Sequence, residues 1–339
     1  MLRPFGDYTL LRRLGQGGMA EVFLARCDRV NCGPRIVVLK RVLPHIAQNR
    51  LLVELFLNEA RIASKLASEN IAQIYEAGRV QTWDYITMEF VPGADLARLQ
   101  ERCEHSPAQT LGLGGLTRLL LDVCRGLAVA HDAVDSTGEP LGLVHGDIHP
   151  HNVMLNFDGV AKIIDFGVAQ ATHAAPEASP RGTYAYMAPE QLRGRSFDQR
   201  ADVFSVGALA WEMLAGKSLF RRDANYLTLR AVVEDDVPSL RELLGDPGAR
   251  FDALLGRALA KDPDKRLGSC AELADELEQL AAELGWNPTA ESLAGPLKQL
   301  FAAERAQVEQ AISGSGGATM EDWLFELNAE VDISWLLSD

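Results

Sequence analysis

HGDIHPHNVMLNFDGVAKIIDFG, residues 145–167, opens with His145, Asp147, His149 and His151 at every second position. Alternate side chains of a strand share a face, so the first eight residues can be read as a comb of metal ligands, imidazole and carboxylate being donors of zinc and iron sites. Pro150 and Asn152 stand against that reading. Proline rarely sits inside a strand, and asparagine is a poor zinc ligand but a good oxygen ligand for magnesium. The octet alone leaves both readings open. The remainder is a hairpin candidate, in which NVMLNF and VAKIID are joined by Asp158-Gly159, a strong two-residue turn signal. Such a hairpin sets Asn152 and Asp165 at its outer ends, near each other in space.

Outward from this stretch the chain changes character twice. YTLLRRLG, EVFLARC and RIVVLKRVL are apolar and β-rich, LLVELFLNEARIASKLA carries helical periodicity, and IAQIYEAGRV and WDYITMEFV read as a further strand pair. VPGAD breaks the pattern at 91–95, after which helices are expected over 95–104, 116–134, 201–215, 251–260 and 271–284. The sequence therefore predicts an α+β chain of two lobes, a small β-rich one over 1–91 and a larger, mainly helical one over 92–285. A helical extension over 286–312, a flexible linker over 313–319 and an acidic amphipathic tail over 320–339 follow.

A chain of 339 residues with 47% hydrophobic and 24% charged residues is expected to be soluble and globular. Its net charge of -14 disfavours partnership with nucleic acid or anionic membrane. Cys27, Cys32, Cys103, Cys124 and Cys270 are odd in number and lack paired C-x-x-C spacing, so neither a disulfide framework nor a zinc finger is expected. With no signal-peptide-like start and no run of 18 apolar residues, the expected setting is the cytoplasm, without a membrane span.

Three further features carry chemistry. GQGGMAEV, residues 15–22, lies between two strand patterns, where glycines allow backbone amides to approach phosphate oxygens, although a tight β-turn explains them equally well. Lys40 closes the apolar run IVVL, and a lysine ending a buried strand needs an anion, which Glu59 on the long helix can supply; the alternative is a lysine snorkelling at a strand edge. Taken in order, the Gly-rich turn, the strand lysine, the helix glutamate, Asp147 with Asn152 five residues later, IIDFG and MAPE resemble the eukaryotic-like protein kinase signature over residues 8–285. GQGGMAEVFLA is especially similar to bacterial Ser/Thr kinases of that family.

The resemblance implies a bilobal protein-kinase-like fold with ATP and Mg²⁺ in the cleft. Gly15, Gly17 and Gly18 would cover the phosphates, with Leu14 beside them, and Lys40 would hold the α and β phosphates while paired to Glu59. Met88 would be the gatekeeper, Glu89 and Val91 would meet the adenine edge through backbone groups, and Val22, Val38 and Met154 would lie above and below the ring. Val38 stands where the family usually has alanine. Asn152 and Asp165 would ligate magnesium, and Asp147 would orient the acceptor hydroxyl and take its proton. Glu190 and Arg266 resemble a structural ion pair, and Asp202 resembles the residue that braces the catalytic loop.

The loop departs from the pattern at two points: Gly146 replaces an arginine, and His149 replaces a lysine. His-Gly-Asp-x-His-Pro is instead similar to the loop of aminoglycoside and choline phosphotransferases, which act on small-molecule hydroxyls. Against that alternative, RGTYAYMAPEQLRG, residues 181–194, resembles the peptide-positioning segment of protein kinases, and Thr183 resembles the threonine that contacts the catalytic aspartate of Ser/Thr enzymes. The resulting expectation is a Ser/Thr protein kinase, with a small-molecule phosphotransferase and a pseudokinase scaffold as alternatives. His149 is expected to act as a weaker and more pH-sensitive substitute for lysine. Without an arginine at 146, control through a phosphorylated activation segment is expected to be weak, Ser179 notwithstanding. The tail, with Met320, Trp323, Leu324, Leu327 and Val331 at helical spacing, is a candidate docking helix or autoregulatory element, or a terminal helix packed on its own lobe.

Overall fold

A computed structural model of the chain describes residues 3–29, 36–103, 105–166 and 183–306, with the backbone alone at Glu59. The tail and linker, Ser179 and the Glu59 side chain, on which expectations above fall, lie outside the described residues.

The small lobe is built on an antiparallel sheet of β1 (Arg3–Phe5), β2 (Tyr8–Gln16), β3 (Ala20–Cys27), β4 (Ile36–Val42), β5 (Ile74–Val80) and β6 (Trp83–Glu89), in the order β1-β2-β3-β4-β6-β5. Strand periodicity divides its residues between two faces. Val37 and Leu39 join Tyr8, Phe23 and Tyr85 in one apolar cluster. Val38, Lys40 and Val42 alternate with them on the opposite face, where Lys40 pairs with Val22 on one side and Ile86 on the other. After the short α1 (Pro44–Ala47), α2 (Arg50–Ala63) begins at Asn49, whose side chain accepts from the N–H groups of Leu51 and Leu52.

VPGAD does more than break the strand pattern. Gly93–Asp95 forms β7, which pairs with β8 (Val153–Asn156), itself paired with β9 (Ala161–Ile163) in a three-stranded antiparallel sheet. A Cβ at Gly93 would stand 1.8 Å from the carbonyl oxygen of Leu155, so glycine permits this close approach. The β8–β9 hairpin turns at Gly159, φ +81°, but through three residues, 157–159, rather than the expected two: Leu155 pairs with Ala161, and Asn156 N–H donates to Val160 O at 3.0 Å.

The large lobe contains α3 (Leu96–Arg102), α4 (Pro107–His131), α5 (Pro189–Leu192), α6 (Arg200–Ala215), α7 (Asn225–Glu234), α8 (Arg241–Leu244), α9 (Asp246–Ala258), α10 (Cys270–Glu283) and α11 (Ala290–Leu300). The expected helix over 116–134 begins earlier, because Ser106 caps Pro107 and the helical path resumes beyond a break at Gly112. Residues Ala201 to Leu214 of α6 are all buried, as befits a helix with apolar side chains on every face. The extension is not a separate body: Leu293, Leu297 and Phe301 are each at most 1% exposed and belong to the main core, while Arg98 and Arg102 of α3 both pair with Glu304.

One expectation about cysteine is corrected. Cys27 is disulfide-bonded, while Cys103, Cys124 and Cys270 are free thiols; the fifth cysteine, Cys32, lies outside the described residues. Overall count and C-x-x-C spacing were poor guides because a single bridge needs only two cysteines brought within reach. Among the described residues, no helix is long and apolar enough to cross a membrane.

Candidate active site

Residues 145–149 form no strand, and Pro150–Asn152 form a 3-10 turn, so the alternating histidines do not share a face. Gly146 at φ +69° and Pro150 break the period-two geometry. Each histidine has its own partner. His145 Nε2 lies 3.0 Å from the carbonyl oxygen of Ile164, and its ring meets Phe166 edge-on at 4.7 Å. His151 Nδ1 lies 3.1 Å from Asp95 Oδ2. His149 Nδ1 accepts from the His151 backbone N–H at 3.3 Å, and its Nε2 is 3.6 Å from Asp147 Oδ2. Because Nδ1 accepts, the proton of the neutral ring sits on Nε2, facing the carboxylate. Among the described residues, no group of three or more His, Cys, Asp or Glu is arranged to hold a metal.

Asp147 and Asn152 are brought together directly. The Asn152 side-chain amide donates to the Asp147 carbonyl oxygen at 2.8 Å and to its Oδ2 at 3.4 Å. Burial raises the Asp147 pKa, but the combined effect of the His149 charge and hydrogen bond, His145 and the Asn152 amide is greater and holds it below the ordinary carboxylate value. The hairpin then sets Asp165 beside Asn152, with Ile164 N–H donating to Asn152 O at 3.0 Å. Asp165 adopts φ +66°, a left-handed conformation uncommon outside glycine and stored at functional sites. Its carboxylate is ion-paired with Lys40. An amide oxygen and a carboxylate at adjacent hairpin ends make a donor set suited to Mg²⁺, since both Asn152 hydrogen bonds use the amide nitrogen rather than its oxygen.

On the small-lobe side, Gly17 N–H closes the Gly-rich turn onto Ala20 O at 2.9 Å. A Cβ at Gly17 would meet nothing within 4 Å, so the chain's own packing does not require glycine there. Gly15 pairs with Val22, Gly18 lies in the turn itself, and Leu14 is half-buried. Val38 pairs with the buried Met88, and Glu89 donates its N–H to Gln73 O. The Glu89 carboxylate pairs with Lys162, 3.0 Å away on β9 and next to Met154 in register, while Val91 is buried at the start of the link to the large lobe. Lys162 drew no attention in the sequence, where a lone strand lysine carries no motif.

The loop is held from behind. Asp202, fully buried on α6, accepts from the Gly146 N–H at Oδ1, 2.7 Å away, and from the His145 N–H at Oδ2, 2.8 Å away, and His131 Nε2 lies 2.8 Å from the same Oδ2. Glu190 and Arg266 form a two-pronged buried pair at 2.7 and 3.1 Å. Thr183 is buried and opens a 3-10 turn, Thr183–Ala185. The next residue, Tyr186, donates its hydroxyl to Glu212 at 2.8 Å, and burial followed by the Glu212 charge pushes the phenol pKa well up. His131, Tyr186 and Gln191, all part of this support, were not singled out in the sequence because their partners are distant in the chain.

The family described as protein kinase domain matches residues 8–277. The chain is 39% identical over 311 residues to the tyrosine-protein kinase MasK of Myxococcus xanthus, covering 90% of this chain and 48% of that protein. It is 32% identical over 279 residues to the serine/threonine-protein kinase PknB of Mycobacterium leprae, covering 80% and 42% respectively. The solved kinase domain of Mycobacterium tuberculosis PknI superposes with a TM-score of 0.64 at 28% identity, covering 83% of this chain and 98% of that one. The chain spans about half the length, or less, of these curated relatives. With the motif order, the two-lobed architecture and the matched span in agreement, the chain belongs to the protein kinase domain family, with bacterial serine/threonine kinases among its relatives.

Proposed function

We propose that this chain transfers the γ-phosphoryl group of Mg-ATP to a serine or threonine hydroxyl of a protein. The observation that carries the reading is the grouping of Lys40, Asp147, Asn152 and Asp165: Lys40 is ion-paired with Asp165, Asn152 donates to Asp147, and the Ile164 N–H bond to Asn152 O links the two pairs. Asp147, held ionised, orients the acceptor hydroxyl and takes its proton as the new O–P bond forms and the bond to ADP breaks. Lys40 binds the α and β phosphates, and Glu59 is its proposed partner in the nucleotide-bound state. Gly15, Gly17 and Gly18 cover the phosphates, while Leu14, Val22, Val38, Met88, Glu89, Val91 and Met154 enclose the adenine. Asn152 and Asp165 would hold Mg²⁺, which supplies charge neutralisation of the phosphate oxygens. His149 directs its Nε2–H toward the transferring phosphoryl, and Thr183 positions the acceptor.

Gly146 offers no guanidinium to a phosphorylated activation segment, so Ser179→Ala is expected to leave activity nearly unchanged. The tail over 320–339 is proposed as a partner-docking or autoregulatory element. Truncation after Gly317 separates these roles from packing on its own lobe: lost partner binding at unchanged stability and activity supports docking, increased activity supports autoinhibition, and lost stability supports packing. A cytoplasmic setting remains part of the proposal.

The test is transfer of labelled γ-phosphate by wild type and Asp147→Ala, offered a generic protein and, separately, amino-alcohols and aminoglycosides. Labelled protein that disappears with Asp147→Ala supports the reading. Label on small molecules alone would move the chain to the phosphotransferase alternative, and bound ATP without transfer would identify a pseudokinase. The 39% identity to a relative named as a tyrosine kinase favours one second reading, a tyrosine acceptor, which phosphoamino-acid analysis of the labelled protein distinguishes.

A further inference from the structure

Gln191, on α5, is only 5% exposed, and both ends of its side-chain amide are engaged. Its Oε1 accepts from Ala188 N–H at 2.9 Å, and its Nε2 donates to the Gly146 carbonyl oxygen at 2.8 Å. Gly146 immediately precedes Asp147 and adopts φ +69°. Its N–H is already held by Asp202 at 2.7 Å. The two peptide units flanking Gly146 are thus gripped from different elements, one by a carboxylate on α6 and the other by an amide on the segment that follows Thr183 and Tyr186.

A residue gripped at only one of these points could still rotate its following peptide plane, because glycine has no Cβ to restrict it. That plane carries the Asp147 N–H, which His145 Nδ1 holds within the loop at 3.3 Å, and its orientation, tied to α5 by Gln191, sets where the Asp147 side chain starts. The segment 183–191 is itself anchored, through Tyr186 to Glu212, through Ser205 Oγ to Tyr186 O at 2.8 Å, and through Glu190 to Arg266. A shift in that segment would therefore be passed by Gln191 to the residue preceding Asp147.

We propose that Gln191 is a positioning residue that couples the segment seating the acceptor to the orientation of Asp147. This rests on the phosphotransfer reading above. Two substitutions separate the two ends of the amide. Gln191→Met keeps the length and removes donor and acceptor, whereas Gln191→Glu keeps an acceptor for Ala188 N–H but loses the donor to Gly146. Both should lower kcat for the protein acceptor by about tenfold, the scale of one lost oriented hydrogen bond, while KM for ATP stays within about twofold of wild type, below the tenfold that one such bond would move. Amide hydrogen exchange at residues 146–149 should accelerate in both.

Wild-type kcat in Gln191→Glu would overturn the proposal, leaving only a local cap of Ala188. Losses that merely track the fraction of folded protein, read by thermal unfolding of the same samples, would also overturn it. If wild type itself transfers no phosphate, the proposed function fails, whereas the exchange comparison still reads the coupling: unchanged exchange at 146–149 in both variants would reject it.

Discussion

Lys40 of the small lobe and Asp165 of the large lobe are joined by an ion pair, their side chains only 13% and 20% exposed. The carboxylate expected to ligate magnesium is thus committed to the ammonium expected to meet phosphate. Metal and nucleotide arriving together let each find its own opposite charge. A non-hydrolysable ATP analogue with Mg²⁺, at a hundredfold excess over its Kd, should therefore stabilise the chain by about 2.7 kcal/mol relative to the free protein, and by more than the analogue alone. Asp165→Asn should remove the magnesium-dependent increment, as measured by thermal unfolding with and without the metal.

Glu190 and Arg266 are each under 10% exposed as side chains, and Arg266 also donates to Arg200 O and Ala260 O. Removing one partner of such a pair strands a buried charge. Arg266→Met should cost about 3–5 kcal/mol in urea unfolding, whereas the double variant Glu190→Leu/Arg266→Met should cost less than the single, because no uncompensated charge remains.

These relationships were legible in the sequence to different degrees, for physical reasons. Asn152 and Asp165 could be placed together because Asp158-Gly159 marks a tight turn and a hairpin is a local object, although the turn takes the three residues 157–159 rather than two. The histidines of 145–151 misled because alternation is only half of a strand signal; Gly146 and Pro150 had to be read as breaking it. Gly93–Asp95 was missed as a strand because three residues carry no usable period and their partner strand, Val153–Asn156, is remote in the chain. Gln191 was invisible for the same reason: an amide 45 residues from Gly146 belongs to no motif until the chain is folded.

Gly159 offers a measure of how firmly the extension is attached. A Cβ there would lie 2.0 Å from Ala290 O and 2.9 Å from Ala294 N, both backbone atoms of the α11 region, and φ is +81°. Gly138 has φ +89° but nothing within 4 Å of its Cβ. Alanine at either position suffers the conformational penalty, and only at 159 does it also collide. Gly159→Ala should be less stable than Gly138→Ala by about 1–3 kcal/mol, the usual scale of overpacking, with the excess lost in a chain truncated before residue 286.

Lys261 is a predicted source of pH-dependent stability. Burial pushes its pKa down to about 8, against the opposing pull of Asp235 and Asp236, and its Nζ donates to Val232 O at 2.6 Å while lying 4.2 Å from the Phe220 ring centre. In the unfolded chain a lysine loses its proton near about 10.4. Between these values the unfolded state binds more protons, so this group makes stability rise with pH. The difference in melting temperature, Lys261→Met minus wild type, should therefore fall as pH increases from about 8 to about 10. A constant difference across that window would reject the assignment.

His149 occupies the place where a permanently charged lysine is expected. Its Nδ1 accepts from the His151 backbone, so the neutral ring presents a single donor, Nε2–H, toward Asp147 and the site of transfer. Protonating Nδ1 would add positive charge near the transferring phosphoryl but displace that backbone hydrogen bond, so the two forms differ in loop geometry as well as charge. A lysine would supply charge without either dependence. His149→Lys should raise kcat for transfer to the protein acceptor. An unchanged kcat in His149→Lys would mean that His149 packs in the loop without meeting the phosphoryl group.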